Sequence, residues 1–196
     1  MNKNGHYNYI LTFHGLGKPS RELEPGEEDF WLEKSNFEAI LDWVKRYPNV
    51  SLTFDDGNTS DIEIALPCLR ERGLQAEFFV SVARLGTPGF LKPEELVTME
   101  QAGMKIGLHG MNHHSWKGLD EKELKIEIED AKRALESMLG HPVENVACPL
   151  GYYNRRILKI LQYNEIKHAY TSDGGFARGG QMIQPRNTPR RKDPSN

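Results

Sequence analysis

Val50-Ser51-Leu52-Thr53-Phe54-Asp55-Asp56-Gly57 is a short apolar run that stops at two adjacent carboxylates and a glycine. Such a run reads as a buried strand, Val50 to Phe54, closed by a tight turn in which Gly57 can take φ > 0. Successive side chains on a strand point in opposite directions, so Asp55 and Asp56 face different partners. Taken alone, Asp-Asp-Gly also reads as an Asx-turn or helix N-cap, because Asn58, Thr59 and Ser60 follow it. What repeats on either side decides between these readings.

Working outward, strand-like and helical runs alternate. Tyr7 to Phe13 precedes as a strand, and Phe37, Ile40, Leu41 and Val44 have helical spacing. After the motif come a helix over Asp61 to Arg72, ended by Gly73, and a strand over Ala76 to Val82. A helix over Pro93 to Ala102 follows, then a strand over Lys105 to Leu108 that runs directly into His109. Leu119 to Leu139 is the longest helix, with Leu124, Ile128, Ala131, Leu135 and Leu139 as its apolar stripe. Its Lys and Glu residues read as a solvated face. Val143 to Cys148 is a strand, Arg155 to Tyr163 a helix and Ala169 to Thr171 a last short strand. From about residue 174 the chain is rich in Gly, Arg and Pro and reads as an irregular tail, with Arg186, Arg190 and Arg191 solvated.

This alternation predicts one α/β domain over residues 1–196 with a mostly parallel sheet, open or closed into a barrel. In such folds reactive groups gather at the C-terminal strand ends. His14, Asp55 with Asp56, His109, and Pro149 with Gly151 all fall there, each group after a different strand.

Hydrophobic residues at 38% and charged residues at 27% exclude a disordered or fibrous chain. A net charge of -3 does not ask for a nucleic-acid partner. No apolar run approaches the roughly 18 residues of a membrane span. The start, Met1 to His6, lacks a secretory signal, so the chain as it stands reads as cytoplasmic. A chain processed from a precursor would read the same and would then be secreted or envelope-bound. Cys68 and Cys148 are too few for a disulfide framework and read as buried thiols.

The second chemical constellation is His109-Gly110-Met111-Asn112-His113-His114, which holds three of the seven histidines. His109 and His113, four apart just past a strand, can converge on one ion, and His114 is a rival ligand. Imidazole plus carboxylate suits Zn²⁺, Co²⁺, Ni²⁺ or Fe²⁺ better than Ca²⁺ or Mg²⁺.

Thr53-Phe54-Asp55-Asp56-Gly57 followed by His109-x-x-x-His113 resembles the polysaccharide deacetylase family, the NodB-homology or carbohydrate esterase family 4 domain. Val146-Ala147-Cys148-Pro149-Leu150-Gly151 is similar, more loosely, to its third motif. The resemblance implies a distorted, incomplete (β/α) barrel of about seven strands. It implies one divalent ion, with Zn²⁺ first, held by Asp56, His109 and His113, and Asp55 as the general base. The backbone N–H of Tyr152 is a candidate oxyanion donor, and Pro149, Gly151, Tyr152 and Tyr153 are candidates for substrate binding.

The sequence departs from the family at three places. Ala147 stands where many members carry an arginine that orients the base carboxylate, and no histidine follows His168 to serve as the usual general acid. Tyr170-Thr171-Ser172-Asp173 is the nearest counterpart of the fourth motif, and His168 reads as structural. His14, at the end of the first strand, is the candidate proton donor, since a subset of the family has a histidine there. The expected activity is removal of acetyl groups from an N- or O-acetylated sugar or polysaccharide by metal-activated water, without a covalent intermediate. A small-molecule amidohydrolase of the same family is the alternative. So is a catalytically weak carbohydrate-binding relative, against which the intact Asp55 argues.

Overall fold

A computed structural model describes residues 7–191. Met1 to His6, on which the localisation reading rests, lie outside the described residues. The strands are β1 (Tyr7–Phe13), β2 (Gly15–Leu16), β3 (Trp31–Leu32), β4 (Val50–Asp56) and β5 (Glu77–Val80). They continue with β6 (Lys105–Leu108), β7 (Asn145–Ala147), β8 (His168–Thr171), β9 (Ala177–Arg178) and β10 (Ile183–Pro185). The main sheet has eight strands in the order β10-β8-β7-β6-β5-β4-β1-β9, one more than the family resemblance implies, and β2 pairs with β3 separately. All its pairings are parallel except β1 with β9.

β4 shows why the sheet sits inside. Leu52 to Asp56 are all buried, as expected of a parallel strand covered on both faces. Phe13, Phe37, Phe54 and Phe78 form a ring-to-ring core between β1, β4, β5 and helix α1 (Lys34–Val44). The remaining helices are α2 (Leu66–Glu71), α3 (Pro93–Gln101), α4 (Glu121–Leu124), α5 (Ala131–Leu139) and α6 (Arg155–Tyr163). α4 starts on a capping box in which Asp120 Oδ1 accepts from Glu123 N–H and Glu123 Oε2 from Asp120 N–H, both at 2.8 Å. α5 ends at Gly140 with φ 78°.

Two helices depart from the regular α pattern. The expected helix from Asp61 begins as a π-type segment, Asp61–Ala65, before α2. The expected long helix contains another, Lys125–Asp130, between α4 and α5. Each π segment shifts the face that follows, and such bulges often mark functional sites.

The tail is the main correction. It is not irregular throughout, because β9 and β10 pair with opposite ends of the sheet. Asn187 then donates its N–H to Ile10 O at 2.8 Å and accepts from Thr12 N–H at 3.0 Å. Residues 183–187 therefore lie against β8 on one side and β1 on the other, and nearly close the barrel. β10 is three residues long and contains Pro185, too short to show a periodicity and confined by its proline to sparse pairing.

Candidate active site

Asp55 and Asp56 end β4 and are 3% and 4% exposed. Their side chains diverge as the strand geometry requires. Asp56 has φ 80°, a conformation a non-glycine residue keeps only where its surroundings over-determine it. Its Oδ1 lies 3.6 Å from His109 Nε2 and 3.1 Å from His113 Nε2. One ligand atom from each of the three residues lies within 4.8 Å of the others.

This trio fits a divalent cation on two observations. Asp56 Oδ1 is buried with no hydrogen-bond partner, and so demands a positive neighbour. His109 directs Nδ1 at Ala147 O, 2.9 Å away. That contact fixes the proton on Nδ1 and leaves the Nε2 lone pair facing Asp56. Burial lowers the His109 pKa to about 4, against the opposing pull of Asp55, so the ring is neutral at neutral pH, as a ligand must be. His113 is less prepared. Arg84 Nη2 stands 3.3 Å from its Nδ1, and a guanidinium only donates. Ligation through Nε2 requires Arg84 to release that nitrogen in favour of its other partner, Glu24 Oε1 at 2.9 Å. His114 is exposed and lies outside the trio.

Asp55 has a different environment. Arg186 grips both its oxygens, with Nη1 to Oδ1 at 2.7 Å and Nη2 to Oδ2 at 2.6 Å. The same guanidinium donates to Thr12 Oγ1 at 2.9 Å and to Thr53 Oγ1 at 3.3 Å. It also lies 5.5 Å from the Phe79 ring centroid and 5.8 Å from that of Tyr170. Burial pushes the Asp55 pKa up, but Arg186, with His109 and His14, outweighs it and holds the carboxylate below the ordinary range. Arg186 is 1% exposed: the expectation that it belongs to a solvated tail is wrong. It supplies from the closing segment the guanidinium whose absence at Ala147 the sequence flagged.

The cleft above these residues has a volume of about 840 Å³. His14 lines it, with Nδ1 buried and unpartnered and its ring 5.2 Å from Phe30. Of the candidates for substrate binding, Gly151 and Tyr152 line the cleft, together with Leu150. Pro149 is buried outside the lining, and Tyr153, also outside it, donates its hydroxyl at 2.8 Å to Oδ2 of Asp173, a lining residue. The N–H groups of Gly151 and Tyr152 turn back onto Cys148 O at 2.9 Å and Pro149 O at 3.3 Å. In this conformation the Tyr152 N–H expected to meet an oxyanion is already engaged. His168 stays structural, with Nδ1 2.9 Å from Asn145 Oδ1, at the N-terminal ends of β7 and β8 and away from the cleft.

Two further residues escape a reading of the sequence. Glu127 sits in the π segment and is 3% exposed, not part of a solvated face. It accepts from Met111 N–H at 3.1 Å, Asn112 N–H at 3.2 Å and Asn112 Nδ2 at 2.8 Å. It thereby pins the loop between His109 and His113, whose φ is 59°. Asp61 is fully buried, and neither of its oxygens has a partner. Burial, reinforced by the charges of Asp56 and Asp55, pushes its pKa well above the carboxylate range.

The structure is a near-closed, mostly parallel barrel with an Asp-His-His trio and a separate carboxylate at the C-terminal rim, where reactive groups gather in such folds. Residues 44–169 match the polysaccharide deacetylase family, and the chain belongs to it. It is 25% identical over 181 residues to YxkH of Bacillus subtilis, a polysaccharide deacetylase by name. That match covers 87% of this chain and 64% of the relative, so the chain spans less than two thirds of its length. It is 32% identical over 106 residues to the peptidoglycan-N-acetylmuramic acid deacetylase PdaC of B. subtilis, covering 54% of this chain and 22% of PdaC. Among solved structures, the Streptococcus pyogenes deacetylase PplD in complex with acetate shares the fold, with a TM-score of 0.82, 22% identity, and coverage of 94% of this chain and 92% of that one.

Proposed function

We propose that this chain is a metal-dependent hydrolase that removes acetyl groups from an acetylated sugar of a glycan. The observation that carries the reading is the pairing of two carboxylates with opposite duties on adjacent residues. Asp56 presents an unpartnered oxygen to two imidazoles, while Asp55 is held ionised by Arg186 beside them. A binding module has no use for the second carboxylate. Family membership and the named activities of YxkH, PdaC and PplD support the same class.

Asp56, His109 and His113 would hold the ion, and this donor set suits Zn²⁺ or Co²⁺, Ni²⁺ or Fe²⁺. A bound ion would acidify a water molecule and polarise the acyl oxygen. Asp55 takes the proton of the attacking water. Its lowered pKa keeps it ionised and so free to accept that proton. Arg186 fixes the direction of the Asp55 lone pairs. His14, also in the cleft, hands a proton to the departing amine or alcohol. Tyr152 and Leu150, 55% and 57% exposed at the rim, offer apolar surface to a sugar face.

The test is acetate release from N-acetylated chitooligosaccharide and peptidoglycan fragments, with and without a chelator. Asp55→Asn should abolish turnover while leaving metal content unchanged. His14→Ala should lower kcat about 100-fold or more with metal content intact; an unchanged kcat removes His14 from the reaction. Turnover of a soluble amide without any glycan would move the assignment to a small-molecule amidohydrolase.

A further inference from the structure

A groove of about 820 Å³ runs between α4, the π segment that follows it, and α6. Lys122 and Lys125 stand on one wall, and Arg155, Arg156 and Lys159 on the other. Arg156 donates to Leu119 O at 2.9 Å. The side chains of Lys122, Lys125, Arg155 and Lys159 have no ion pair or hydrogen bond among the described residues, in contrast to Arg133 on α5, which reaches Asp130 at 3.0 Å. Five cations face only Glu121 and Glu129 in this groove, on a chain whose net charge is -3. Glu121, Lys125 and Glu129 stand at i,i+4 on one helix, the spacing of a solvated face, whereas Lys122, Arg155, Arg156 and Lys159 have no acidic residue three or four positions away. Two separate helices bring these cations together over the apolar floor of Leu124 and Ile160.

The groove also adjoins the active site. Tyr152 lines the cleft, and Arg155 follows three residues later. Their Cα atoms are therefore at most about 11 Å apart, the reach of three extended residues. That distance is within the span of a few sugar units.

We propose that this groove is a subsite for carboxylate groups on the sugars flanking the scissile acetyl group, so that the preferred substrate is a sparsely anionic glycan. The nature of the polymer rests on the deacetylase reading. The apolar floor suits the C–H faces of sugar rings. Glu121 and Glu129 repel a densely charged polyphosphate more than a strand that carries isolated carboxylates between neutral units. Arg155 and Arg156 present forked donors that match a carboxylate.

The test measures retention of the full chain on immobilised hyaluronan, which alternates N-acetylglucosamine with a carboxylate sugar, and on chitin, its uncharged counterpart. The expected result is stronger retention of the wild-type protein on hyaluronan, weakened about tenfold by Lys122→Glu with Lys159→Glu and by added salt. Retention on chitin should be unchanged, and Arg133→Glu should behave as wild type. Equal retention of the double variant and wild type on hyaluronan overturns the proposal. So does an equal loss on chitin, or a preference for duplex DNA over hyaluronan at the same ionic strength. Should the double variant melt early, Lys159→Gln alone must still lower retention. Retention needs no turnover, so a chain that releases no acetate yet loses hyaluronan on charge reversal refutes the activity and not the subsite.

Discussion

The site depends on single charges whose partners lie far away in sequence. Arg186 and Asp55 are 131 residues apart, yet each completes the other's desolvated surroundings. Removing one partner of a buried pair costs about 3–5 kcal/mol, because the other charge remains buried. Arg186→Met should therefore lower unfolding free energy in urea by that amount. Adding Asp55→Asn should recover part of the loss, and a strictly additive double-mutant cycle would refute the coupling. Asp61 presents the opposite case. Its folded pKa lies well above 3.8, so between the two values the native chain binds a proton that the unfolded chain has released. Stability must fall as pH rises through that window. Asp61→Asn should remove the fall and raise stability at pH 7 by about 1 kcal/mol or more, read from urea midpoints at pH 4 and pH 7. That Asp56, His109 and His113 gather beside Asp55 was legible in the sequence because two short motifs hold them locally. Arg186 was not, because a lone arginine between Pro185 and Asn187 has no pattern until folding sets it beside Thr12 and Thr53.

At the scale of elements, the instructive one is the helix that is not uniformly helical. Its apolar stripe through Leu124, Ile128 and Leu135 was readable, and these residues are buried. The π segment was not readable, because Leu124, Ile128, Ala131 and Leu135 keep the 4-3-4 spacing of a regular α-helix. Its effect is to turn Glu127 inward, onto the loop that carries His113. Glu127→Gln replaces one acceptor oxygen with a donor facing the N–H groups of Met111 and Asn112. Metal affinity should fall about 10–100-fold, measured by competition with a chromophoric chelator, with far-UV circular dichroism unchanged. Unaltered affinity would show that the loop keeps its shape without Glu127. The strands that carry the site were legible with small errors at their ends, since β4, β5 and β6 combine buried runs with clear stops. β2 and β3 were not, because two-residue strands have no period.

For the whole molecule, the mostly parallel sheet followed from strand-helix alternation and the incomplete barrel from the family resemblance, but the segment that nearly closes it did not. Closure depends on residues 183–187, which bond to β8 and β1 at once. A chain ending at residue 182 loses that seam and the counterion of Asp55 together. It should lose its near-UV circular dichroism and unfold without a cooperative urea transition; a sharp transition in this variant would show that the barrel holds without the seam. The seam also bears on the order of events during synthesis. Thr12 and Arg186, in contact when folding is complete, are 174 residues apart. At about 5–20 residues per second, a ribosome delivers Arg186 many seconds after β1 and β4 have left it. Throughout that interval Asp55 is without its Arg186 partner. A nascent chain stalled before residue 186 therefore presents an open strand edge, and Asp55 meets its buried counterion only once residue 186 has emerged.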